Sequence, residues 1–135
     1  MSYSNIRFEV GDAGIATVTV SRPEKLNALN AETVLELHEA VTRAARDAEV
    51  RALIVTGAGE KAFVAGADIN QLAVLTPIEA QAYAERGQRV FREIEMLAKP
   101  TLAAINGYAL GAVWSWRCRA RCAWRRRMRF WDSQK

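Results

Sequence analysis

Lys61-Ala62-Phe63-Val64-Ala65-Gly66-Ala67-Asp68-Ile69-Asn70-Gln71-Leu72 is the stretch around which the rest of the chain is organised. It follows an apolar run, Ala52-Leu53-Ile54-Val55, and a small-residue turn, Thr56-Gly57-Ala58-Gly59. That order reads as a strand, a glycine-bearing loop and the start of a helix. At Ala65-Gly66-Ala67 no bulky side chain shields the backbone, so a ligand can come close to the main-chain N–H groups. Asp68 is suited to cap the helix that follows, which would gather those N–H groups at its N-terminus. Such a place can bind an anion or stabilise a developing oxyanion. Taken alone, the same pattern also describes an ordinary strand-to-helix connection.

Upstream, Ile6-Arg7-Phe8-Glu9-Val10 alternates apolar with polar, Gly11-Asp12-Ala13-Gly14 turns, and Ile15-Ala16-Thr17-Val18-Thr19-Val20 is β-branched. This pattern predicts a hairpin with a turn longer than the tightest types. Ser21-Arg22-Pro23 ends the second strand, because proline cannot donate to a ladder. After a loop, Asn30 caps a helix whose apolar face is Val34, Leu37, Val41, Ala44 and Ala45, with Glu32, Glu36, Glu39 and Arg43 outward. His38, the one histidine, stands beside that face among charged neighbours and reads as a surface or half-buried helix residue. Arg51 to Thr56 is a third strand.

Downstream, Thr76-Pro77-Ile78-Glu79 combines an N-cap, a proline at the first helical position and a Glu three residues after the cap. Tyr83, Val90, Phe91, Ile94 and Leu97 form that helix's apolar face, Lys99-Pro100 ends it, and Thr101-Leu102-Ala103-Ala104-Ile105 reads as a buried strand. Asn106-Gly107 then turns. Interleaved period-2 and period-3.6 segments define an α/β class.

Three linked segments carry a resemblance to a known family. They are Arg22-Pro23-Glu24-Lys25-Leu26-Asn27-Ala28-Leu29, Lys61 to Ile69, and Lys99-Pro100-Thr101-Leu102-Ala103-Ala104-Ile105-Asn106-Gly107-Tyr108-Ala109-Leu110-Gly111. In order, spacing and identity they resemble the crotonase (enoyl-CoA hydratase/isomerase) superfamily, over residues 5 to 111 without a gap. The resemblance implies a spiral of strand-strand-helix turns, here truncated, in a parent that assembles as a homotrimer or homohexamer. It implies an acyl-CoA thioester as substrate, no cofactor beyond the CoA that the substrate carries, and no metal.

By the same resemblance, the backbone N–H of Ala67 is one of two oxyanion-hole donors, and the second falls at Ala112, where the family has the middle glycine of an Ala-Leu-Gly-Gly-Gly run. Lys25, Ala28 and the segment Ala65, Gly66, Ala67, Asp68 and Ile69 lie where family members hold CoA, largely through the main chain. Two fixed N–H donors stabilise an enolate on the thioester by roughly 3 to 4 kcal/mol each in comparable sites. Trans-2-enoyl-CoA hydration is the implied chemistry of the intact parent. The family's two catalytic glutamates are missing: the first position is Ser115, the second falls about where the chain ends, and no Glu follows Glu95. The chain itself is therefore expected to be inactive, a non-catalytic CoA-thioester-binding remnant being the alternative.

Composition divides the chain near residue 112. Residues 1 to 111, the family-like part, hold eleven Lys/Arg against fourteen Asp/Glu, whereas residues 112 to 135 hold eight against one. All of the basicity behind the net charge of +4 thus lies in the tail, with all four tryptophans (Trp114, Trp116, Trp124, Trp131) and both cysteines (Cys118, Cys122). A nucleic-acid-binding protein is not what that charge describes. The tail could touch RNA or an anionic membrane through charge and stacking, yet no specific nucleic-acid or membrane partner is expected. Two cysteines four apart without a second ligand pair do not make a metal site. No apolar run approaches a membrane span and no signal-peptide pattern opens the chain, so the expected compartment is cytoplasmic.

The tail reads as a coding sequence one base out of register. Permitted codons for Val113 to Cys118 are GTC TGG AGC TGG CGC TGC, and starting one base earlier gives Leu-Glu-Leu-Ala-Leu. The join also fits: GGC GGC GGT without one G encodes Gly111-Ala112-Val113. Continued to Lys135, the shifted frame restores both family Glu positions. The hypothesis is a one-base deletion in the gene or in its reported sequence, which resequencing around codons 111 to 113 decides.

Overall fold

The computed structural model describes residues 2–109 and 122–125. Ile6–Val10 (β1) and Ile15–Val20 (β2) form the expected antiparallel hairpin, closed by Gly11 N–H donating to Ile15 O at 3.0 Å. Ala52–Gly57 (β3) lies parallel to β2, which requires a crossover, and helix α1 (Ala31–Arg46) supplies it. Thr101–Ile105 (β5) lies parallel to β3, with helix α3 (Pro77–Glu95) in the intervening connection. Cys122–Arg125 (β7) extends the sheet beside β5, giving the order β1-β2-β3-β5-β7.

One face of this sheet is closed. Ala16, Val18, Val20, Leu53, Val55, Ala103 and Ile105 are buried in a single cluster with Val34, Leu37, Val41 and Ala44 of α1 and Tyr83, Val90 and Ile94 of α3. The opposite side chains, Thr17, Thr19, Ile54, Thr56, Leu102 and Ala104, are half-buried. Hence the strands alternate along their length although most of their pairings are parallel. Both helices carry the caps their sequences announce. Asn30 Oδ1 accepts from Thr33 N–H at 2.8 Å, and Thr76 and Glu79 complete a reciprocal capping box. Lys99 Nζ, placed just before β5, donates to Ala44 O and Asp47 O at 2.6 and 2.7 Å and so satisfies carbonyls at the C-terminal end of α1.

Three details depart from the sequence reading. Ala45 is exposed and does not join the apolar face of α1. Glu36, expected to point outward, is half-buried and accepts the Ser4 and Asn5 backbone N–H groups at 2.8 and 2.9 Å, tying the N-terminal segment to α1. The third departure is a second sheet that alternation does not reveal: Ala62–Val64 (β4) pairs in parallel with Tyr108–Ala109 (β6). Strands of three and two residues are too short to show a period. Gly57 makes room for β4, since a Cβ there would stand 2.1 Å from Phe63 O.

The parallel pairings have one consequence for function. The carboxyl ends of β2, β3 and β5 lie side by side, so the segments that leave them all emerge at one edge of the sheet. Those segments are the three motifs. In open α/β sheets that edge is where ligands bind. Among the described residues, no helix is long and apolar enough to cross a membrane.

Candidate active site

After β2, Pro23–Lys25 makes one 3-10 turn, and Leu26 and Asn27 follow in the left-handed region at φ 53° and 57°. Asn tolerates that conformation and Leu does so at about 1 kcal/mol. Asn27 is buried, and its side chain explains why the turn holds: Oδ1 accepts the Arg22 N–H at 2.8 Å, while Nδ2 donates to Ala58 O and Ala62 O at 2.9 and 3.0 Å. The first motif is thereby pinned to the loop that leads into β4. Asn106, from the third motif, does the same from the other side, donating to Gly57 O and Gly59 O at 2.8 and 2.7 Å.

The segment after β4 then runs beside the first motif as a miniature ladder. Ala65 N–H donates to Leu26 O at 3.2 Å, Leu29 N–H to Gly66 O at 2.8 Å, and Asp68 N–H to Leu29 O at 3.0 Å, with Leu29 and Ala67 forming a parallel bridge. Gly66 has φ 97°, a conformation that glycine adopts readily and L side chains resist. The Gly66–Ala67 peptide is trans, so its C=O and N–H point to opposite sides. Since Gly66 O is committed to Leu29, the Ala67 N–H points away from the first motif. Ala67 is exposed, and among the described residues no acceptor receives that N–H.

Asp68 is 8% exposed and its carboxylate is fully employed. Oδ1 accepts the Asn70 N–H at 3.0 Å as the cap of helix α2 (Ile69–Leu72), and Oδ2 takes both Nη1 and Nη2 of Arg22 at 3.2 Å. Arg22 Nη1 also donates to Ala28 O at 2.7 Å. The Asp68 cap is as expected from sequence, but an anion site at the α2 N-terminus is not what results. A helix of four residues has little dipole, and the Asp68 carboxylate already takes its Asn70 N–H. The exposed peptide N–H of Ala67 remains open to a ligand.

The Tyr83 hydroxyl reaches from α3 to donate to Leu29 O, the same carbonyl that receives Asp68 N–H. Burial raises the Tyr83 hydroxyl above its ordinary pKa. Gln71 Oε1 accepts the Ala31 N–H at 2.6 Å and joins α2 to the start of α1.

Of the residues singled out from sequence, Ala28, Ala65, Gly66, Ala67 and Asp68 come together in this ladder. Lys25 is exposed on the 3-10 turn, and Ile69 is 78% exposed at the start of α2. Ala112 lies outside the described residues. His38 is half-buried and takes no part in the ladder, its Nδ1 2.8 Å from Glu93 Oε2 across the packed pair α1 and α3. Sequence alone does not mark Arg22, Asn27 and Tyr83 as site residues: Arg22 stands beside a strand-ending proline, and Tyr83 is one more member of an apolar stripe.

A mixed sheet with helices packed on one face and converging loops at its carboxyl edge is a crotonase-like α/β fold. It superposes on the crystal structure of an enoyl-CoA hydratase from Bacillus anthracis with a TM-score of 0.86, at 29% identity, covering 90% of this chain and 47% of that one. Residues 11–115 match the model of the family described as enoyl-CoA hydratase/isomerase, and the chain belongs to that family. It is 45% identical over 111 residues to a short-chain-enoyl-CoA hydratase of Clostridium acetobutylicum and 47% identical over 111 residues to a crotonyl-CoA hydratase of Syntrophomonas wolfei. Each match covers 82% of this chain and 42% of the relative, so the chain spans less than half the length of these curated relatives.

Proposed function

We propose that this chain carries a thioester oxyanion hole, with the Ala67 N–H as one of its two donors, on the amino-terminal part of an enoyl-CoA hydratase. The observation that supports it best is the Leu29 N–H to Gly66 O bond, which turns the Ala67 N–H outward before any ligand arrives. A donor preorganised in this way pays no reorientation cost when charge develops on the thioester oxygen. Lys25, Ala28 and the Ala65 to Ile69 backbone form the bed for CoA beside it, and the second donor is the N–H of Ala112. The substrate class is an acyl-CoA thioester, with no cofactor beyond the CoA within it, no metal, no specific nucleic-acid partner and no membrane partner. The parent is a cytoplasmic homotrimer or homohexamer acting in fatty-acid metabolism.

In the intact parent, water adds across the Cα=Cβ bond of a trans-2-enoyl-CoA: hydroxyl to Cβ, proton to Cα, through an enolate held by the two N–H groups. Positioning and activating that water falls to two glutamates, and this chain has Ser115 at the first of those positions. The chain therefore binds the thioester without hydrating it. Incubating the purified chain with crotonyl-CoA and following the enoyl-thioester absorbance tests this. The expected result is saturable calorimetric binding with no loss of absorbance; turnover by the chain as it stands would overturn the account.

A further inference from the structure

We propose that Arg22 is a positioning residue of this site: its guanidinium, held between Ala28 O and the Asp68 carboxylate, sets the direction in which the Ala67 N–H points. The proposal rests on reading that N–H as an oxyanion donor. Arg22 and Asp68 side chains are each 11% exposed, so both charges have been taken out of water. A buried ion pair is a poor device for stability alone, because desolvation offsets most of the attraction and apolar side chains would serve as well. What the pair supplies here is geometry. One planar fork makes three bonds, one to the first motif at Ala28 O and two to the second at Asp68 Oδ2.

Those bonds straddle the ladder rungs that orient the Ala67 peptide, Leu29 N–H to Gly66 O and Asp68 N–H to Leu29 O. Asp68 is thus held at four points, by Arg22, by the Asn70 N–H, by Leu29 O and, at its own carbonyl, by the Leu72 N–H. If the fork is lost, Asp68 can swing about its cap, and the peptides on either side of Ala67 swing with it. A lysine would keep the charge but not the arrangement, since a single ammonium cannot hold a carbonyl and a carboxylate in one plane. Because Asp68 neutralises it, Arg22 acts on the ligand only through the backbone it holds.

The test uses the full chain, its Arg22→Lys variant and two saturated ligands: butyryl-CoA, and S-butyl-CoA, in which a methylene replaces the thioester carbonyl. The ratio of their Kd values isolates the contact made by the carbonyl oxygen. Residue-resolved amide hydrogen exchange at Leu29 and Asp68, compared with Leu53 and Val55 in β3, reports the ladder without any ligand. In Arg22→Lys the preference for butyryl-CoA is expected to shrink by about tenfold, S-butyl-CoA to bind within about twofold of the parent, and only the Leu29 and Asp68 amides to exchange faster. Equal weakening of both ligands with faster exchange throughout β3 would mean a merely structural role and would overturn the proposal. So would unchanged exchange at Leu29 and Asp68. If the unaltered chain does not distinguish the two ligands, the oxyanion reading fails, and exchange alone then decides whether Arg22 holds the ladder. Should Arg22→Lys not fold, Asp68→Asn, which keeps an oxygen for the Asn70 cap, carries the same readouts.

Discussion

The Gly66 carbonyl oxygen accepts the Leu29 N–H at 2.8 Å, and through the rigidity of one peptide plane this bond aims the N–H of the next residue. Two residues 37 positions apart in sequence thereby determine where Ala67 presents its proton. Neither has a reactive side chain. The candidate site is built from main chain, and side chains such as Arg22, Asn27 and Tyr83 hold that main chain still.

Gly66→Ala tests the aim of the peptide. At φ 97° an alanine is strained by about 1 to 2 kcal/mol, and relief of the strain rotates the very peptide whose N–H is proposed as the donor. Urea titration is expected to show a stability loss of that size, accompanied by weaker butyryl-CoA binding. Unaltered binding in a destabilised protein would separate the conformation of Gly66 from the site.

Gly57→Ala tests close approach rather than backbone conformation. Its added Cβ would meet Phe63 O at 2.1 Å and Ala62 O at 2.7 Å, both backbone atoms that cannot move aside as a flexible side chain would. A loss in the overpacking range of about 1 to 3 kcal/mol or more is expected, read as a lowered denaturation midpoint.

Tyr83→Phe removes one of the two donors to Leu29 O and should cost about 0.5 to 1.5 kcal/mol near neutral pH. The variant also changes the response to alkali. Burial raises the folded-state pKa of this hydroxyl above its ordinary value of 10.0, so the folded state keeps the proton longer than the unfolded state does. The associated stability is complete below about pH 10 and falls as pH rises through the folded-state pKa. Denaturant titrations at rising pH should show the parent losing that increment while Tyr83→Phe stays flatter.

Thr76→Ala breaks the capping box of α3, where Glu79 N–H donates to Thr76 Oγ1 at 3.2 Å and Thr76 N–H to Glu79 Oε2 at 3.0 Å. The expected cost is about 1 kcal/mol. Replacing Glu79 as well should add less than the two single losses together, because the two bonds close one box.

Inserting one G at the codons for Gly111 and Ala112 tests the register hypothesis directly. The restored reading frame returns Gly-Gly-Gly-Leu-Glu at the second motif's missing partner and a Glu near the position of Lys135. A protein expressed from the corrected gene is expected to hydrate crotonyl-CoA where the present chain does not. Absence of turnover in a folded, corrected product would count against the deletion.

Much of the fold was legible because its signals are local. Proline after Thr76, Glu three residues beyond that cap, and the alternation through Ile15 to Val20 each follow from short-range sterics and hydrogen bonding, and α3 begins and β2 runs where the residues placed them, although α3 stops at Glu95, before Leu97. The two-rung sheet of β4 and β6 was not legible, since segments so short carry no period and exist only because the loops after β3 and β5 meet. Arg22 was visible only as a residue beside a proline, for nothing local says that a guanidinium will find a carboxylate 46 positions away.

The glycine-bearing stretch therefore divides cleanly. Its small residues, its cap at Asp68 and the identity of the motifs were determined by sequence, because backbone access and capping depend on near neighbours. The direction of the Ala67 N–H was decided by tertiary structure alone. It depends on Leu29, whose N–H fixes the Gly66 carbonyl, and on the long-range hydrogen bonds by which Arg22 and Tyr83 hold that ladder.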